Sequence, residues 1–236
     1  MESTEVLMGL ETNQDPFLVL LAALNEEKGI GPTIEELKRF LRNPTLLVID
    51  GRSIDKTIAI ARNFGAKILK QSGRGKGDAI AQGIRFSDFD GKYVAMIDAD
   101  YTYPASAIPE MAKILDDNPD VGMVSGNRFN RQCYRNGMKK IFFLGNKILA
   151  SFHNFFNGVH LDDPLSGLRV IRWDILRNWR PKSLGFDIEV ELNHFIESQR
   201  LKIVEVPIEL RPRLGEKKLN IFDGLLILKR IITETF

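Results

Sequence analysis

Phe17-Leu-Val-Leu-Leu-Ala-Ala-Leu24 is an unbroken apolar run that stops at Asn25-Glu26, and a second run, Thr45-Leu-Leu-Val-Ile49, stops at Asp50. Short runs without polar alternation read as strands buried on both faces. Between them, Thr33 to Leu41 carries helical spacing, with Thr33 as candidate N-cap and Glu36 three residues on. Strand, helix, strand is a βαβ unit, and the alternation continues. Helices are expected near Ser53 to Phe64 and Asp78 to Phe86, and strands at Lys67 to Lys70 and Tyr93 to Ile97. Downstream the spacing predicts a helix from Pro104 to Leu115, a strand at Val121 to Val124 and a long aromatic helix from Met138 to Phe156. A strand at Leu168 to Ile171, a helix at Ile188 to Ile196, a strand at Lys202 to Val206 and a last amphipathic helix over 221–236 complete the reading. The fold class is α/β: one domain over 17–220 behind a flexible leader (1–16), with a mostly parallel, Rossmann-like sheet covered by helices on both faces.

Composition narrows the function classes. With 236 residues, 44% hydrophobic, the chain can bury one sizeable core. Its 33 basic and 31 acidic residues leave a net charge of +2, without the Lys/Arg excess of a dedicated nucleic-acid binder. The single cysteine, Cys133, cannot form an internal disulfide. No apolar run is long enough to span a bilayer, and the first residues are polar and acidic, unlike a signal peptide. A cytoplasmic protein is expected, peripheral on the cytoplasmic face of a membrane at most.

In an α/β sheet, ligands gather outside the carboxyl ends of the strands, where Asn25, Glu26, Asp50, Asp98 and Asp100 all fall. Asp98-Ala99-Asp100 follows the strand ending at Ile97. Two carboxylates this close repel unless a cation intervenes, and Mg2+ or Mn2+ held by one or two carboxylates plus substrate phosphates answers that chemistry. Turn formation or capping of the next helix, which Pro104 would suit, is the competing reading. Asp50 precedes a turn and is placed to accept hydrogen bonds from a base or ribose, while Ser53 or Asp55 serves equally as a helix cap. Ser72-Gly-Arg-Gly-Lys-Gly77 is a glycine-rich loop before a helix, where backbone amides with Arg74 and Lys76 could meet phosphate oxygens, or which is simply a solvated loop.

Together these segments resemble family 2 of the inverting glycosyltransferases and, within it, the polyprenyl-phosphate sugar synthases such as dolichyl-phosphate mannose or glucose synthase. The resemblance runs from about Phe17 to Leu228 and rests on motifs in family order. They are Asn25-Glu26, the Asp50 to Thr57 loop, Gly75-Lys-Gly77, Asp98-Ala-Asp100, Gly126-Asn-Arg128, Asp163-Pro-Leu-Ser-Gly-Leu-Arg169 and Arg213-Leu-Gly-Glu-Lys-Lys-Leu219. It implies a GT-A fold with a nucleotide-sugar half (17–125) and an acceptor half (126–220). It also implies a UDP- or GDP-sugar donor and a metal, Mg2+ or Mn2+, on Asp98 and Asp100. The chain departs from the pattern at Ala22-Ala23-Leu24, Gly51 and Thr102, so no particular sugar or base is implied.

Hexose transfer passes through an oxocarbenium-like centre while the diphosphate leaves. Asp98, Asp100 and Arg128 are the expected catalytic residues, and Asn25, Glu26, Asp50, Arg74, Lys76 and Asp98 the donor-binding ones. A lipid-phosphate acceptor such as dolichyl or polyprenyl phosphate is already anionic and needs no general base. It needs a basic clamp, for which Lys139, Lys140, Ser166, Arg213 and Lys218 are the candidates beside the Phe-rich helix. A sugar hydroxyl acceptor needs a carboxylate base, with Asp163 or Asp187 the first to test. The last helix, with Lys229 and Arg230 beside its apolar face, either lies on a membrane surface or packs on the sheet. A nucleotidyltransferase, which also joins carboxylates and metal on an α/β sheet, is the alternative enzyme class, but it would carry a Gly-rich basic signature where Asn25-Glu26 stands.

Overall fold

The computed structural model describes residues 17–129, 140–157, 159–216, 218 and 221–233. In chain order the elements begin with β1 (Phe17–Ala23), α1 (Ile30–Phe40), β2 (Thr45–Asp50), α2 (Thr57–Asn63), β3 (Lys67–Lys70), α3 (Lys76–Arg85) and β4 (Tyr93–Met96). After a 3-10 turn at Ala105–Ala107 come α4 (Ile108–Asp117), β5 (Val121–Asn127), α5 (Lys140–Asn157), β6 (Arg169–Arg172) and α6 (Trp173–Leu176). The chain continues through α7 (Ile188–Ser198), β7 (Lys202–Pro207) and α8 (Ile221–Thr233).

The strands form one seven-stranded sheet in the order β3-β2-β1-β4-β6-β5-β7. β1 pairs in parallel with β2 and β4, and β5 with β7; β6 alone runs against its neighbours. The apolar run of β1 explains why the sheet is covered twice. Phe17, Val19 and Leu21 enter the core under α1, α2 and α4, while Leu18 and Leu20 enter the core under α3, α6 and α7. A third, smaller cluster joins Val190 of α7 to Ile227 and Ile231 of α8, with Leu149 and Phe156 of α5 packed against it. α8 therefore rests on helices rather than on the sheet.

Two helix starts differ from the sequence reading, because polar residues expected to cap are used elsewhere. α1 begins at Ile30, since Glu26 O accepts from Gly29 N and Ile30 N. Thr33 lies inside the helix and donates through Oγ1 to Gly29 O. α2 begins at Thr57 rather than near Ser53. Ser53 Oγ accepts from Asn25 N, and Asp55 Oδ1 accepts from Thr57 N and Oγ1. These bonds lace the loop after β2 to the loop after β1, so the two strand ends present one rigid edge.

Candidate active site

The carboxyl ends of β1, β2 and β4 bring Glu26, Asp50, Asp98 and Asp100 to this edge. Asp98 and Asp100 stand on a turn fixed from below and above. Below, Gly29 touches it so closely that a Cβ there would lie 2.6 Å from Asp100 Cα and 2.7 Å from Ala99 O. Above, the segment after β7 crosses the turn: Arg211 N donates to Thr102 O and Leu214 N to Asp100 O, at 2.9 and 3.1 Å. Tyr101 takes a positive φ of 66° within the turn, and the Arg211 guanidinium, itself paired with Glu36, covers its ring.

The two aspartates receive different cations. Lys76 Nζ, from the first turn of α3, lies 2.7 Å from Asp98 Oδ1 and 2.7 Å from Glu189 Oε1 of α7. Burial alone would drive this ammonium toward neutrality, but the charges of Asp98 and Glu189 outweigh it and hold its pKa above the ordinary value. Burial would likewise raise the Asp98 pKa, yet Lys76, with Arg213 and Arg128 behind it, keeps it below the usual carboxylate range. Asp100 moves the opposite way: burial first, then the charge of Asp98, push its carboxyl up. Its Oδ1 accepts from Thr102 N and its Oδ2 meets Arg213 Nη1 at 2.8 Å. The same guanidinium pairs with Glu26, whose pKa is raised to about 7, by burial above all. Glu26 Oε2, Arg213 Nε and Thr102 Oγ1 are buried here without a partner.

The remaining expected residues sort into those at this edge and those committed elsewhere. Asn25 fixes the loop after β2 by accepting from Ile54 N, and Lys218 Nζ reaches Asn25 O at 3.4 Å. The Asp50 carboxylate is buried and accepts from Arg52 N and Ser53 N, so it organises its own loop. Arg74 is exposed. At the end of the glycine-rich loop Gly77 N and Asp78 N donate to Leu184 O, and a Cβ on Gly77 would lie 2.2 Å from Ser183 O. Its glycines serve close packing, and Lys76 alone reaches the carboxylates.

Arg128 forms a bidentate pair with Asp163, Nε to Oδ2 and Nη2 to Oδ1 both at 2.7 Å, while its backbone N donates to Oδ2. Asp163 is fully buried and gives both carboxylate oxygens to Arg128. Asp187 is likewise held, by Arg230 Nε at 2.9 Å. Ser166 is fully buried with no partner for Oγ, one residue before Gly167, where a Cβ would lie 2.8 Å from Asp98 Oδ2. Gly167 N donates to Tyr103 Oη. Lys139 and the Lys140 side chain lie outside the described residues.

Glu189, Tyr103, Gly29 and Gly167 were not singled out by sequence reasoning. Glu189 reads as an ordinary acidic residue in the first turn of a helix, and only the fold sets it opposite Lys76. Among the described residues no three Asp, Glu, His or Cys side chains form a metal-binding group.

Comparison with known proteins identifies the family and the fold. The family model described as glycosyl transferase family 2 matches residues 18–179. A low-salt glycan biosynthesis hexosyltransferase of Haloferax volcanii is 32% identical over 226 residues, covering 93% of this chain and 54% of the relative. The chain thus spans about half the length of that relative. A dolichyl-phosphate hexose transferase of the same organism is 30% identical over 212 residues, 89% of each chain. Among solved structures, glucosyl-3-phosphoglycerate synthase from Mycobacterium tuberculosis with Mn2+, UDP-glucose and phosphoglyceric acid superposes with a TM-score of 0.74 at 22% identity. That match covers 94% of this chain and 80% of the other and establishes the GT-A fold.

Proposed function

Because the chain belongs to glycosyl transferase family 2, and is therefore a glycosyltransferase, we propose that it moves a hexose from a UDP- or GDP-sugar to a lipid phosphate of the dolichyl or polyprenyl type. Transfer inverts the anomeric carbon and requires Mg2+ or Mn2+. The observation that carries this reading is the pair Asp98 and Asp100 at the strand edge, each met by a cation from a different part of the chain. The alternative nucleotidyltransferase class has no support in the family match.

The residues fit a divalent cation. Asp98, Asp100, Glu26 and Glu189 place four carboxylates around two cations, Lys76 and Arg213. The donors are hard oxygens, and two carboxylates with one residue between them repel unless a cation intervenes; the Asp100 carboxyl is pushed up by burial first and by the charge of Asp98 second. Asp98 and Asp100 would hold the ion, which when bound acts as a Lewis acid on the leaving diphosphate. Lys76, fixed by Glu189, keeps a positive charge beside the forming anion. Arg213 is placed to exchange its carboxylate partners for phosphate oxygens, to which a guanidinium binds equally well. Asn25, Glu26 and Asp50 shape the nucleoside end, with Arg74 at its rim. Of the five residues expected to clamp the acceptor phosphate, Lys139, Lys140 and Lys218 are kept in that role, Arg213 is reassigned to the donor phosphates because it pairs with Glu26 and Asp100, and Ser166 is set aside because it is fully buried.

The phosphate acceptor draws support from the relative named a dolichyl-phosphate hexose transferase and from the state of the two candidate bases. Asp163 is locked by Arg128 and Asp187 by Arg230, so neither is available to take a hydroxyl proton, and a phosphomonoester requires no such transfer. The test supplies labelled UDP- and GDP-hexoses with dolichyl phosphate and Mn2+ or Mg2+, and follows label into the lipid phase. Wild type labels the lipid with one donor and Asp100→Asn does not. Label on sugar acceptors alone would overturn the acceptor assignment, and full activity of Asp100→Asn the metal assignment.

A further inference from the structure

β6 opens with a fully buried arginine. Arg169 stands where a strand paired on both sides ordinarily carries an apolar residue, and the next two positions, Val170 and Ile171, are as deeply buried. A buried guanidinium is costly unless its donors are answered, and an apolar side chain of similar volume would serve a core as well or better. Burial lowers its pKa, against the opposing charges of Glu189 and Asp163. The partners that it reaches are neutral. Nε donates to Ser166 O at 2.8 Å, Nη2 to Pro164 O at 2.7 Å and Nη1 to Asn193 Oδ1. Asn193 of α7, buried too, donates through Nδ2 to the same Pro164 O at 2.9 Å.

Both carbonyls belong to the loop that leads into Gly167, and Gly167 lies against Asp98. A Cβ there would stand 2.8 Å from Asp98 Oδ2 and 3.0 Å from its Cγ, so the loop walls one side of the carboxylate. Lys76 holds the other oxygen, Oδ1, at 2.7 Å. The orientation of Asp98 is therefore set between an ammonium from α3 and the backbone before β6. Ser166 Oγ, buried without a partner, adds no bond to hold that backbone, whereas the planar fork of Arg169 spans the carbonyls on either side of Leu165. We propose that Arg169 is a positioning residue for Asp98, with Asn193 as its second support: the pair fixes the Pro164 and Ser166 carbonyls, which sets Gly167 and with it the Asp98 oxygen that Lys76 does not bind. The inference rests on the reading of Asp98 as a ligand of the donor's divalent ion. Groups that orient a metal ligand from behind commonly change metal affinity by about ten- to a hundredfold.

Isothermal titration of Mn2+ into the full chain saturated with UDP or GDP tests this without turnover. Arg169→Lys keeps the charge but does not span both carbonyls, and should bind Mn2+ about tenfold more weakly than wild type. Asn193→Leu keeps the guanidinium and removes one donor to Pro164 O, so it should lose less in the same direction, and it carries the test if Arg169→Lys does not fold. Gly167→Ala sets a methyl against Asp98 Oδ2 and should weaken Mn2+ binding as well. Combined with Arg169→Lys, its effect should fall short of additivity, since both act through one contact. Leu176→Ala, at a buried position of α6, is the control for general destabilisation, with Tm lowered and Mn2+ affinity unchanged. Wild-type Mn2+ affinity in folded Arg169→Lys and Asn193→Leu would overturn the positioning role alone, as would fully additive losses with Gly167→Ala or an equal loss in Leu176→Ala. Absence of Mn2+ binding by wild type with either nucleotide would overturn the metal reading and this inference with it.

Discussion

Replacing Gly29 by alanine tests whether the Asp98-Ala-Asp100 turn is held by backbone contact. Gly29 has φ −96° and ψ −34°, a conformation open to any residue, so its lack of a side chain serves proximity. A Cβ would stand 2.6, 2.7 and 2.8 Å from Asp100 Cα, Ala99 O and Asp100 C. Carbon atoms at optimal contact stand about 3.5 to 4.0 Å apart, so helix and turn must separate by about 1 Å. The helix cannot easily yield, because Ile30, Ile34 and Leu37 are fully buried; the turn moves and takes both carboxylates with it. Overpacking of this kind costs about 1 to 3 kcal/mol, or several degrees in Tm at about 2 to 4 °C per kcal/mol for a chain of this size. A displacement of about 1 Å at reacting groups costs about a hundredfold in rate. The control is Gly31→Ala in the same helix. There the new methyl would meet Ile60 Cγ2 and Phe64 Cε2 at 3.3 Å, side-chain atoms that can rotate away. Measured as kcat/KM for lipid-phosphate labelling beside thermal unfolding, Gly29→Ala should lose about two orders of magnitude and Gly31→Ala little. Wild-type kcat/KM and Tm in Gly29→Ala would refute the reasoning, as would equal losses in both variants.

Asp163→Asn should behave as a stability variant rather than a base-deficient enzyme. It strands the Arg128 guanidinium in a buried site, at a cost of about 3 to 5 kcal/mol, and calorimetry should show Tm lowered by about 10 °C; an unchanged Tm with abolished transfer would restore Asp163 as a base. Lys76→Met removes the shared partner of Asp98 and Glu189 and should lower kcat by about a hundredfold or more, which transfer assays at saturating donor would show. A loss confined to KM would place Lys76 in simple donor binding. His153 is fully buried, and burial lowers its pKa from 6.5 to about 4. Its contribution to stability is present above the unfolded value and is lost as pH falls from about 6.5 to 4, in total about 3 kcal/mol. Urea unfolding across that range should show a shallower acid loss in His153→Gln than in wild type, and parallel curves would remove His153 from the account.

The fold was legible because β1 and β2 are unbroken apolar runs ending in polar residues, a pattern governed by local burial. The reversal of β6 was not. Arg169-Val-Ile-Arg172 reads as a strand in either direction, and its sense is fixed by the chain returning through the buried loop around Asp163. At the site, Asp98 and Asp100 were singled out from their place after β4, and the structure brings Lys76 to Asp98 and Arg213 to Asp100. The glycine-rich loop was half legible. Its spacing predicted a turn before a helix, but whether the amides face a ligand or Leu184 O depends on a segment more than a hundred residues downstream. Glu189 and Arg213 share that limitation, because partners so distant in sequence leave no local periodicity. Arg128 and Asp163 were singled out as separate functional residues, and their mutual pairing is a tertiary fact.

The charge arrangement also explains why the edge can stay folded before donor arrives. A half-buried and a buried aspartate with a single residue between them would be costly without counterions, and the chain supplies one from each flank: Lys76 from α3 and Arg213 from the segment beyond β7. The two differ in how they are held. Each is gripped by two carboxylates, but Lys76 stands on a helix with side-chain exposure of 13%, whereas Arg213 comes from a loop, at 29% exposure. An incoming cation and diphosphate would therefore compete with Arg213 before Lys76, because Arg213 is the more exposed of the two and its side chain is carried by a loop rather than by a helix. Lys76 would remain as the fixed charge of the site and Arg213 as the exchangeable one. The asymmetry predicts that Arg213→Lys, which keeps charge but loses the fork that spans Glu26 and Asp100, raises the donor KM more than it lowers kcat. Equal effects on both parameters would mean that Arg213 acts on the leaving diphosphate as directly as Lys76 does.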